Sequence, residues 1–67
     1  MPPAIVNLLI GLIETAGNET RIAAIKALGE GAPATPAVIS CLQGVVENGG
    51  SESRVAAVYA LGRIYRK

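Results

Sequence analysis

The sequence predicts an all-α fold of four helices arranged as two stacked αα-hairpins. Three observations carry that expectation. Residues 20–29, TRIAAIKALG, recur as residues 53–62, SRVAAVYALG, at a spacing of 33. The match extends without a gap over repeat 3–34 and repeat 36–67, with 13 identities in 32 positions. Within each unit the apolar residues recur at helical spacing. A chain of 67 residues makes a single domain (1–67), so the two repeats fill it.

Each unit opens on a proline, Pro3 or Pro36, which suits the first helical turn. Ile5, Leu8, Leu9, Leu12 and Ile13 then fall on one helix face, as do Val38, Cys41, Leu42, Val45 and Val46. The β-branched content would suit a strand, but the spacing and the length of the runs favour helix. TAGN (15–18) and NGGS (48–51) read as turns, with glycines suited to left-handed helix-end geometry. Asn18 and Ser51 are the expected N-caps of the second helix, placing Glu19 or Glu52 at its positive end. That helix is expected to end at Gly29 in the first unit and at the C-terminus in the second. EGAPATP (30–36) joins the units as a turn. Gly11 and Gly44 recur inside the first helices, where glycine costs about 1 kcal/mol relative to alanine, so a close helix crossing is expected there, with a hinge as the weaker alternative.

Composition narrows the function. Hydrophobic residues make up 51% of the chain and mean hydropathy is +0.44. A short chain either hides that much apolar surface or has it covered by another chain. Net charge is +1, from six basic and five acidic residues, which argues against nucleic-acid binding driven by phosphate contacts. There is no histidine and a single cysteine, Cys41, so neither an internal disulfide nor a structural metal site is expected. The run AIVNLLIGLI (4–13) is too short to span a bilayer and contains Asn7. It has no basic n-region, so a signal peptide is not expected. The expectation is a soluble, cytoplasmic protein with a reduced thiol, no cofactor and no membrane partner.

The pattern R-[IV]-A-A-[IV]-x-A-L-G after a short turn resembles the second helix of HEAT-like repeats, above all the short repeats of phycobilisome-lyase-type HEAT proteins. Arg21, Ala23, Ala24, Ala27, Leu28 and Gly29 carry it, with their mates Arg54, Ala56, Ala57, Ala60, Leu61 and Gly62. The family usually has Asp where this chain has Asn18 and Ser51, and Val where it has Thr20 and Ser53. Ankyrin and tetratricopeptide repeats fit worse, for lack of T-P-L-H and of tryptophan. The resemblance implies a right-handed HEAT-like α-solenoid fragment that serves as a scaffold for protein contacts. It does not imply lyase activity.

Four groups of residues stand out. On a helical wheel, Arg21 and Arg54 open the buried stripe, with stem on the core and fork toward turn carbonyls or a carboxylate such as Glu19 or Glu52. A structural role at the hairpin mouth is expected for both, with an anion site as the alternative. Ile10 stands where the second unit has Gln43, which widens the apolar arc of the first helix to roughly 200°, against roughly 160° in its mate. A terminal repeat should be the more polar one. Ile5, Val6, Leu9, Ile10 and Ile13 are therefore a candidate interface, unless the two units simply wrap around that helix. Tyr59 replaces Lys26 on the opposite side of the second helix, near Arg63 and Arg66. If the second helices line the concave side, as the resemblance implies, these four form either a binding face for an acidic peptide or a solvated polar face. Cys41 falls on a buried stripe, without a histidine to activate it.

The glutamates are dispersed at helix ends, and Gly49-Gly50 lacks a following GK[ST]. No catalytic constellation is therefore expected, and the chain reads as a non-enzyme. The expected function is a protein-interaction scaffold that self-associates through its first helix, most simply as a two-fold homodimer. The alternatives are a piece of a longer HEAT array and, through the resemblance, a small chaperone or bilin-lyase-type subunit. The two units differ at 19 of 32 positions, more drift than a consensus design would carry.

Overall fold

The computed structural model describes residues 1–66. Four helices follow one another: α1 (Pro3–Thr15), α2 (Asn18–Gly31), α3 (Pro36–Asn48) and α4 (Ser51–Ile64). No strand occurs among the described residues. Pro3 and Pro36 stand in the first turn of α1 and α3, where their missing N–H groups leave nothing unpaired. Thr35 precedes α3, and its hydroxyl accepts from the Val38 N–H at 3.4 Å.

The hairpin connections are tighter than the sequence suggests. Only Ala16 and Gly17 separate α1 from α2, and only Gly49 and Gly50 separate α3 from α4. Asn18 and Ser51 are not N-caps. Gly17 and Gly50 hold that place, with no side-chain cap, because their carbonyls already accept from the Arg21 and Arg54 N–H groups at 2.9 and 2.8 Å. None of the described glycines is left-handed: Gly49 and Gly50 are extended, at φ −78° and −70°. At the end of each first helix, Thr15 and Asn48 donate back to the carbonyls of Gly11 and Gly44.

The second helices also end elsewhere. α2 continues two residues beyond Gly29, because nothing forbids helix before Pro33; the Ala32 N–H still reaches the Leu28 carbonyl at 2.9 Å. α4 stops at Ile64, with the Tyr65 N–H bonded to the Leu61 carbonyl. Tyr65 and Arg66, expected to be helical, follow as a turn and irregular chain, and Lys67 lies outside the described residues.

α1 packs on α2 and α3 on α4, giving two hairpins. The hairpins meet chiefly through α2 and α4, whereas α1 barely touches α3. α2 and α4 run in the same direction. Asn18 near the start of α2 reaches Glu52 near the start of α4, and Glu30 near one end reaches Arg63 near the other. The core draws on all four helices, with Ile25, Leu28, Val38, Leu42 and Ala57 fully buried. Small side chains allow the approach of α2 to α4. A Cβ on Gly29 would lie 2.8 Å from both Cα and Cβ of Ala60, so only glycine fits this crossing. Gly11 and Gly44, by contrast, face no atom within 4 Å, so the close crossing expected there is absent. No described helix is long and apolar enough to cross a membrane.

Candidate functional site

On the face shared by α2 and α4, the structure brings three of the four expected residues together. Lys26, Tyr59 and Arg63 line one cavity of about 240 Å³ together with Glu30. A neighbouring cavity of about 480 Å³ adds Ile22, Val55 and Val58 beside Lys26 and Tyr59. Arg63 is not a free charge. Its Nη2 donates to Glu30 Oε1 at 2.7 Å, and its guanidinium stands 5.9 Å from the centre of the Tyr59 ring. The hydrogen bond to Glu30, and then that carboxylate's charge, hold the Arg63 pKa above its ordinary value. Lys26 is exposed and has no ion pair among the described residues. Arg66 lies past the end of α4, exposed and outside both cavities.

The first helix departs further from expectation. Val6 and Ile13 are buried in the core, 8% and 3% exposed, and Leu9 and Ile10 pack against it half-buried. Of the five expected interface residues only Ile5 is exposed, at 42%. The wide apolar arc is used internally, because α2 takes one side of α1 and the edge of α3 another. Leu8, exposed at 56%, joins Ile5 on the surface.

The two arginines differ from one another. Arg21 is half-buried in a cleft of about 370 Å³ with Glu14, Ser40 and Cys41, and its Nε has no hydrogen-bond partner. The carboxylate expected for it, Glu52, instead accepts from Asn18 Nδ2 at 3.2 Å. Arg54 is exposed, because no third hairpin covers it as α3 covers Arg21. Burial in the same cleft, and secondly the Glu14 charge, push the Cys41 thiol pKa up, opposite to what a nucleophile needs. Among the described residues no three His, Cys, Asp or Glu side chains converge as metal ligands would.

Sequence reasoning looked for an uncovered end at the first repeat only and missed the one on α4. Ile25 is fully buried, whereas its mate Val58 is 55% exposed; Val55 stands at 68% on the same helix, and Tyr65, just past its end, at 60%. At the other end, Val38 is fully buried, but its mate Ile5 is exposed. The signal was present in the repeat itself. Pairs of like residues must differ in burial wherever a neighbour exists on one side only. Compared with protein-family models, curated proteins and solved structures, the chain gives no match.

Proposed function

We propose that the chain is a non-catalytic protein-interaction scaffold, a short HEAT-like repeat stack that self-associates through the apolar surface its two hairpins leave uncovered. The observation that supports this is the exposed large apolar side chains at the two ends of the stack: Ile5 and Leu8 on α1 at one end, Val55, Val58 and Tyr59 on α4 at the other. The absence of histidine, the scattered glutamates and the raised Cys41 thiol pKa favour binding over catalysis. A reducing, cytoplasmic setting suits the one free thiol. Sedimentation over a range of concentrations is expected to show a mass above the 6.8 kDa of one chain. A single-chain mass at every concentration would remove the self-association.

A second reading rests on Lys26, which has no ion pair among the described residues and stands beside the cavity lined by Ile22, Val55 and Tyr59. That groove would take an acidic peptide, with Lys26 facing its carboxylates and Tyr59 its apolar side chains. Fluorescence anisotropy with a labelled acidic peptide should give saturable binding that Lys26→Glu abolishes. Equal binding by the variant would count against it.

A further inference from the structure

We infer that copies of this chain stack head to tail, the free face of α4 in one copy receiving α2 of the next as α2 receives α4 within the chain. The inference rests on the self-association proposed above and fixes its geometry. The internal contact between the hairpins has two sides. One side is the face of α2 that carries Ile25 and Gly29; the other is the face of α4 that carries Ser53, Ala56 and Ala60. Each side has its mate at spacing 33, and each mate lies uncovered at an end of the stack. Val58 and Gly62 repeat Ile25 and Gly29 but are exposed. Thr20 and Ala23 repeat Ser53 and Ala56 and are exposed, and Ala27, the mate of Ala60, is only half-buried. The two ends of one molecule are thus the two halves of a contact already formed in its middle.

Gly62 is the most telling of these. A Cβ there would meet nothing within 4 Å, and its backbone φ is not positive. Within a single chain, alanine would serve the helix better by about 1 kcal/mol. Its mate Gly29 is needed because Ala60 crosses it. The same need arises at Gly62 once Ala27 of a second copy crosses there.

The charges agree with this register. Inside the chain, Glu30 of α2 pairs with Arg63 of α4, its own mate at spacing 33. Between copies the order reverses, so that Arg63 of one copy faces Glu30 of the next, again with opposite sign. Ser51 likewise meets Glu19, as Asn18 meets Glu52 within the chain. Tyr59 meets Lys26, and no like charges are set against one another. A two-fold contact through α1 uses none of these residues. A head-to-tail contact is also open-ended, because each added copy presents a fresh end.

The test uses variants that each block one end. Gly62→Leu fills the α4 face, with Val58→Glu as a second variant at the same end. Thr20→Glu with Ala23→Glu blocks the α2 face. All four positions are exposed, and circular dichroism checks that each variant keeps its helices. Sedimentation should give one chain for either blocked variant alone. Their mixture should give twice that mass and no more, since one free end of each kind remains. If both blocked variants assemble as the parent does, or the mixture stays at one chain while the parent assembles, head-to-tail stacking is overturned and self-association through another surface stands. A parent that stays at one chain at every concentration overturns both.

Discussion

Glycine has three different meanings at four positions of this repeat. Gly29 lies under Ala60, so Gly29→Ala must push α2 away from α4 and should cost about 1–3 kcal/mol. Gly11 and Gly44 face open space, and alanine at either should raise stability by up to about 1 kcal/mol. Gly62→Ala should do the same in dilute solution, where no second copy crosses it. Denaturant midpoints for the four variants separate these cases, and a stabilising Gly29→Ala would contradict the packing described. Cys41 makes a separate point. Its thiol pKa is raised, so its thiolate fraction at pH 8 falls below that of free cysteine. Reaction with a disulfide reagent should be slower than for a small thiol at that pH and should quicken as pH rises. The recurrence of Gly11 and Gly44 was legible in the sequence, but nothing in their surroundings explains it. A repeated letter reports only that both units retain a residue, not what the residue touches.

The helices themselves were legible because their signals are local. Proline at the start of α1 and α3, apolar residues three and four apart, and Pro33 beyond α2 place these elements within a few residues. The caps were not legible, because Gly17-Asn18 and Gly50-Ser51 each offer two capping residues in succession. The hairpin geometry selects the first of each pair. Thr35 is the one described residue before a helix whose side chain caps it, at the long distance of 3.4 Å. Thr35→Ala should therefore cost about 0.5 kcal/mol, the low end of the usual range for an N-cap, read from thermal unfolding. A loss several times larger would mean that Thr35 also holds the connection between the hairpins. Two residues of the interface expected on α1 were misplaced for a related reason. A helical wheel shows how wide an apolar arc is, but not how many neighbours divide it, and Val6 and Ile13 proved to be core.

At the scale of the molecule, the accessible surface of 4143 Å² is close to the ~4,000 Å² typical of a folded chain of this mass. The exposed apolar side chains therefore reflect where the stack ends and not a loose fold. A partner that binds only the folded state adds to its stability by mass action, so Tm should rise with protein concentration for the parent. It should stay flat for Gly62→Leu. The broad contact of α2 with α4, set against the slight contact of α1 with α3, has a mechanical outcome. Each hairpin pair is a wedge, thin along one layer and thick along the other, like a stone cut for an arch. A row of such wedges cannot run straight. It bends toward the α2 and α4 side by a fixed amount per copy, and that angle decides whether a growing row meets its own beginning or winds past it.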